Sequence, residues 1–256
     1  MRHNLLWLGL AVAVLAEGGT VGQPVLVELF TSEGCSSCPP ADALLEKLDR
    51  QQPVAGAQII VLSEHVDYWN GQTWADPYSS RALTARQDQY AHRFGLGDPY
   101  TPEMVVDGSV ELVGSDAAKA QAAIRAASAE PKVGVRIRAA EAPDAVAVEV
   151  DPFPPGKNHK ANVYVANAAD SGTSDVLGGE NRGRRLHYVS IAKEIQKVGS
   201  VGGSGFKTQI QLRAAKTPPG SRLIVFVQEP DNGRVWGAAM YPIPLQAAPP
   251  SVPSSK

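Results

Sequence analysis

Residues 27–42 read Val27-Glu28-Leu29-Phe30-Thr31-Ser32-Glu33-Gly34-Cys35-Ser36-Ser37-Cys38-Pro39-Pro40-Ala41-Asp42. The apolar run from Pro24 to Phe30 reads as a buried strand. After the cysteines, Ala41, Leu44, Leu45 and Leu48 recur at helical spacing and share one face. A Cys-x-x-Cys therefore sits between a strand and a helix. The chain holds 2 cysteines in all, so each has only the other as an intramolecular partner. A bridge across so short a loop constrains the unfolded chain little, and a chemical role accounts for it better than a structural one. The thiolate is the nucleophile in disulfide exchange, and a second thiol can resolve the mixed disulfide. A helix N-terminus favours a thiolate. Cys35 is thus expected to be exposed and acidic, with Cys38 further in as the resolving thiol. Pro39 and Pro40 suit a first helical turn, whose N–H groups lack intrahelical partners.

Outward from this motif, Gln58–Ser63 reads as a second buried strand. Ser79–Phe94 reads as a helix ending at Gly95, with Leu83, Tyr90 and Phe94 inward. A third strand starts at Pro102, Asp107-Gly108 signals a hairpin, and Val110–Val113 returns. Ser115 is expected to cap a last helix running to Ala127. The order over residues 23–130 is β-α-β-α-β-β-α. Beyond Glu130-Pro131 the texture changes. Val133–Arg138 and Ala145–Val150 alternate, and Asn162–Ala166, Thr208–Leu212, Leu223–Val227 and Val235–Met240 read as further strands. Short strands separated by Gly/Pro turns suggest a small β-sandwich.

The first residues read as an export signal. Arg2 precedes the apolar stretch Leu5–Ala16, which is short for a membrane span but fits a signal core with a small-residue cleavage site at Val14-Leu15-Ala16; an uncleaved anchor is the alternative. The expected division is a signal peptide over 1–22, an α/β domain over 23–130, a smaller β-rich domain over 131–245 and a Pro/Ser/Ala-rich disordered tail over 246–256. With 256 residues, 43% of them hydrophobic, the chain can bury a sizeable core. A net charge of −2 gives no reason to expect nucleic acid as partner. No segment after the signal is long and apolar enough to span a bilayer. The protein is expected to be periplasmic or secreted, where disulfides persist.

A Cys-x-x-Cys in a β-α-β pattern resembles the thioredoxin-like redox motif. That resemblance implies that Pro102 is cis beside the dithiol and that the Thr101 backbone pairs with a bound substrate strand. It also implies a buried acid under the dithiol that exchanges protons with the resolving thiol. Glu28 is the candidate, one residue out of register, and otherwise a carboxylate satisfied locally. A closer resemblance is to the family of secreted bacterial proteins catalogued as domain of unknown function 1223. It rests on the stretch from Val27 to Asp42, on His65-Val66-Asp67-Tyr68-Trp69, on Tyr100–Gly108, on Val113–Asp116 and on Gly179-Glu180-Asn181-Arg182-Gly183 with Leu186–Val189. It implies a thioredoxin-like domain followed by a smaller β-sandwich-like domain, export and a dithiol, and it supplies no substrate.

His65, Asp67, Tyr68 and Trp69 follow the second strand, at the edge where open α/β sheets build sites. They read either as a docking wall, with Trp69 and Trp74 as apolar contacts, or as edge cover with a structural histidine. Arg182, Arg184, Arg185, His187, Lys193 and Lys197 read as a solvated face, or as a contact in which Arg182 or Arg184 reaches the redox edge. The site expected from sequence is Cys35, Cys38, Thr101, Pro102 and Glu28, with no cofactor and no metal. The expected activity is thiol-disulfide exchange with a protein or small-molecule disulfide or dithiol. The alternatives are a redox-sensing or non-catalytic adaptor on the same fold, and copper handling by Cys35, Cys38 and His65, since thiolate and imidazole suit Cu(I).

Overall fold

The computed structural model describes residues 22–142, 144–154, 160–213 and 217–244. Nearly all of the expected signal and the whole of the expected tail lie outside the described residues. Strand β1 (Gln23–Thr31) leads through the cysteine turn into α1 (Pro39–Gln51), and β2 (Ala57–His65) leads into α2 (Arg81–Phe94). The hairpin β3 (Glu103–Val106) and β4 (Val110–Val113) precedes α3 (Ala117–Ser128). All-β structure follows: β5 (Val135–Ala139), β6 (Ala145–Val150), β7 (Ala161–Asp175), β8 (Arg185–Val201), β9 (Phe206–Gln211), β10 (Ser221–Gln228) and β11 (Val235–Pro242). No helix among the described residues is long and apolar enough to cross a membrane.

The local signals explain the element ends. Ser80 caps α2 by accepting from Ala82 N and Leu83 N, and Gly95 closes it in the left-handed conformation at φ 69°. The cap of α3 is Asp116, which accepts from Lys119 N. Ser115 was expected there, but the longer carboxylate one residue on reaches the free N–H. Asp107 and Gly108 turn the β3–β4 hairpin at φ 48° and 61°. A Cβ on Gly108 would sit 2.2 Å from the Gly233 carbonyl oxygen, so both conformation and space require glycine.

One mixed sheet of 8 strands, in the order β11-β10-β7-β8-β2-β1-β3-β4, runs through the whole molecule. The join is at β2 and β8, which pair in parallel at Ser63 and Ile191. Strand alternation gives the sheet two faces. Val25, Val27 and Leu29 face α1 and α3 in one core, which also takes in Val189 of β8. Leu26, Ile60 and Leu62 face the other way, into a core shared with Leu83 of α2, Ala168 of β7 and Phe226 of β10. The sheet β5-β6-β9 packs against Val163, Val165, Leu223 and Val225 in a further core. The C-terminal half is layered as a sandwich, and one layer is the sheet that it shares with the N-terminal half.

Polar ties reinforce this junction. Arg222 of β10 holds Asp49 of α1 through two hydrogen bonds of 2.7 and 2.9 Å. Lys132 donates to Asp107, whose carboxylate also accepts from Leu26 N. A third buried tie is Arg86. Its guanidinium donates to Glu28 of β1 (2.6 Å), to Tyr90 (3.1 Å), to Gln228 of β10 (3.0 Å) and to Asn232 (3.0 Å). Removing one partner of a buried pair strands the other charge. Arg86→Met is therefore expected to lower the unfolding free energy by about 3–5 kcal/mol, read by urea denaturation. The double change Glu28→Gln with Arg86→Met is expected to recover part of that loss; equal losses would refute the assignment.

Candidate functional site

Beyond β1 the chain turns through residues 32–38, where Cys35 N donates to Ser32 O and Cys38 N to Cys35 O. Cys38 stands at the N-cap of α1, and the prolines behind it occupy the first turn without forfeiting an intrahelical bond. Cys35 and Cys38 are joined in a disulfide with their Cα atoms 5.4 Å apart. Ser36 and Ser37 are exposed, yet both cysteines are 0% exposed. The expected exposure of Cys35 is therefore wrong for this disulfide state. The cover comes from residues distant in sequence, which no local pattern could announce.

One part of that cover is the Thr101–Pro102 segment, whose peptide bond is cis. The Thr101 carbonyl oxygen lies 3.8 Å from Cys35 Sγ. Thr101 Oγ1 accepts from Trp69 Nε1 at 2.8 Å, which ties the segment to the loop after β2. Trp69 also crowds Gly34, where a Cβ would lie 2.9 Å from the tryptophan Cβ. Tyr68 and Trp69 remain 43% and 38% exposed, forming an aromatic wall beside the dithiol. Tyr68 donates to Gln87, and partial burial pushes its hydroxyl up to about 12.

His65 does not belong to that wall. It is fully buried, with Nδ1 2.7 Å from Asp76 Oδ2, and its ring packs edge-on against Tyr188 of β8 at 4.6 Å between centroids. Around it lies a buried polar cluster between the first turn of α1 and the ends of β1 and β2. Trp74 Nε1 donates to Glu33 Oε2, and Glu33 N donates to Asp76. Glu33 Oε1, Asp42 Oδ1, His65 Nε2 and Tyr188 OH are buried there without a hydrogen-bond partner. Burial pushes the Asp42 carboxyl up to about 7, against the pull of His65 and the Thr31 hydroxyl. Burial, then repulsion from Asp76, raises Glu33 as well. Burial also acts upward on Asp76, but its His65 contact and the backbone N–H groups of Glu33 and Tyr78 outweigh it and hold the carboxyl below its usual range.

Glu28 lies elsewhere. Strand alternation turns it to the α2 face, where it accepts from Arg86 and from Tyr90 OH at 2.6 Å. The helix carrying the dithiol packs on the opposite face, over Val27 and Leu29. The structure thus brings Cys35, Cys38, Thr101 and Pro102 together and gives Glu28 to the ion-pair network. The buried acid on the dithiol side is Asp42, one helical turn beyond Cys38, whose N–H donates to Cys38 O. Sequence reasoning passed over it because an acid in a first helical turn is ordinary. It stands at the margin of the apolar face of Ala41, Leu44, Leu45 and Leu48, so its burial left little trace in the sequence.

The family model described as protein of unknown function (DUF1223) matches residues 26–228 of this chain. The chain belongs to that family. It is similar to the crystal structure of protein AGR_C_4864 from Agrobacterium tumefaciens, with 26% identity and a TM-score of 0.72 over 90% of this chain and 98% of that one. It shares a fold with HBP35 of Porphyromonas gingivalis at 14% identity, with a TM-score of 0.53 over 93% of this chain and 81% of that one. No curated protein matches the sequence.

In this DUF1223 member the loop of residues 176–184, between β7 and β8, reaches across to the cysteine turn. Asn181 Nδ2 donates to Glu33 O at 3.0 Å and to Cys35 O at 2.8 Å. Arg184 donates to Asn181 Oδ1 at 2.8 Å, so an arginine reaches the dithiol edge through the asparagine. Glu180 Oε2 accepts from Ser36 N at 3.0 Å. Among the described residues, no three His, Cys, Asp or Glu side chains converge as metal ligands do.

Asp42 sets a pH dependence. Its carboxyl keeps a proton to about pH 7 in the folded chain, while the unfolded chain loses it near the ordinary aspartate value of 3.8. Between these values the folded state binds more protons, so stability falls as pH rises. In urea denaturation, the advantage of Asp42→Asn over wild type is expected to grow by about 2–4 kcal/mol from pH 4 to pH 7.5. A constant difference would refute the assignment.

Proposed function

We propose that the protein is an exported thiol-disulfide oxidoreductase on a thioredoxin-like fold. Cys35 is the attacking thiol and Cys38 the resolving one. The observation that carries this reading is the disulfide at the start of α1 with the Thr101 carbonyl oxygen 3.8 Å from Cys35 Sγ. A substrate strand lying along Thr101 would bring its own sulfur to that atom. The signal-like pattern from Arg2 to Ala16 supports export.

The exchange balances as follows. The Cys35 thiolate attacks a substrate disulfide, forming a Cys35–substrate S–S bond and expelling one substrate sulfur, which takes up a proton. Cys38 then attacks Cys35 Sγ, expels the second substrate sulfur and closes the Cys35–Cys38 bridge. The protein loses two electrons and the substrate gains them; the reverse sequence oxidises a dithiol. Cys38 must lose a proton before it attacks. Asp42 is the group suited to accept it, being buried one turn away with Oδ1 unpartnered and a carboxyl pushed up to about 7.

The full burial of Cys35 favours a second reading, a redox sensor or adaptor whose bridge does not turn over. The rate of exchange separates the two. With a small aromatic disulfide as substrate, the reduced protein is expected to react as a dithiol. Cys35→Ser should abolish the reaction, and Cys38→Ser should accumulate a mixed disulfide visible by mass spectrometry. Asp42→Asn should slow closure roughly 100-fold or more near pH 7, the loss typical of removing a general base. A Cys35→Ser variant with undiminished exchange would sink the proposal.

A further inference from the structure

The Gly179–Gly183 motif lies more than 140 residues beyond the cysteines, and the exchange chemistry above makes no use of it. It nevertheless supplies the two side chains that hold the cysteine turn from outside. Asn181 is 1% exposed and spans Glu33 O and Cys35 O. Glu180 is exposed and accepts from the backbone N–H of Ser36, the residue bonded to Cys35. That bond stabilises the ionised carboxylate, since the Ser36 hydroxyl and N–H both hold Glu180 below its usual range. A formal negative charge is thus fixed within a few bonds of the attacking sulfur, at the helix end where a thiolate would otherwise be favoured.

We propose that Glu180 is a brake on the dithiol, a carboxylate contributed by the C-terminal half that disfavours the Cys35 thiolate for as long as the loop is seated on Ser36. This deepens the oxidoreductase reading by naming a residue that regulates the same sulfur. The thiolate form and Glu180 carry like charges, and a nearby like charge disfavours ionisation. Titratable groups near this corner include Glu33 in the same turn, Asp42 on α1, His65 and Asp76 in the buried cluster, and Arg182 and Arg184 on the loop. The first four belong to the buried side of the turn, and Arg184 donates to Asn181. Glu180 approaches from the solvent side, where a substrate must enter. Docking that lifts the loop would remove charge and cover together, so Cys35 would become reactive when a partner displaces residues 179–181. Ser37 Oγ, 3.4 Å from Cys35 Sγ, would remain to donate to the thiolate.

The test is the pH profile of Cys35 alkylation by iodoacetamide, on full-length protein with Cys38→Ser so that a single thiol reports. Glu180→Gln keeps a side chain that can accept from Ser36 N, and it removes the charge. Its alkylation midpoint is expected to fall by up to about half a pH unit, with a rate near pH 7 up to about threefold higher. The shift between the two proteins should shrink in 1 M salt, because an exposed charge is screened. Asn181→Ala, which frees the loop without removing its charge, should move the midpoint in the same direction. Coincident midpoints for Glu180→Gln and its parent, or an upward shift, overturn the proposal. The readout needs no disulfide substrate. A shifted midpoint in a protein that catalyses no exchange would keep the brake and discard the oxidoreductase reading, and the converse result would do the opposite.

Discussion

A buried guanidinium ties the two halves of this molecule together. Arg86 leaves α2 for the interior and finds Glu28 on the first strand, Tyr90 on its own helix, and Gln228 and Asn232 from the far end of the chain. A buried cation is tolerable only when its donors are all engaged and a counter-charge is close. Each of those partners is therefore constrained in turn. Glu64 stands 3.7 Å away, and burial together with the charge of Glu28 raises its carboxyl well above the usual range. The network fixes β1 against both α2 and β10, and the cysteine turn starts where β1 stops.

Local patterns carried much of the first half. Alternation, caps and the Asp107-Gly108 turn are short-range effects, so β1, α1, β2, α2 and the β3–β4 hairpin were legible in the residues themselves. The strand β8 was not. Lys193, Glu194 and Lys197 interrupt its apolar positions, and a charged stretch reads as a solvated face until its partners are known. Those partners are β7, its hairpin neighbour, on one side and β2, far earlier in the chain, on the other, and the pairing with β2 leaves no local trace. The layering of the C-terminal half was legible in its many short strands, while its place in a shared sheet was not.

The site divides in the same way. Cys35 and Cys38 were found because they stand at a helix start, and Thr101 and Pro102 because the thioredoxin-like resemblance places the proline before the third strand beside the dithiol. Glu28 was chosen by its distance in sequence from the cysteines. The pleat decides otherwise, since Val27 and Leu29 lie under α1 and the residue between them must face the opposite core. Asp42 and His65 needed three-dimensional information. What makes them unusual is enclosure by Trp74, Asp76 and Tyr188, which arrive from a loop and from β8.

The β7–β8 pair has a consequence for how such proteins can be recombined. The same hairpin that gives β2 its neighbour at Ser63 also carries Glu180 and Asn181 to Ser36 and Cys35. A chimera that exchanges everything after Pro131 between two relatives would therefore swap a sheet partner and a thiol environment in one move. Variation in the C-terminal half becomes a means of retuning the cysteines without touching the segment that contains them.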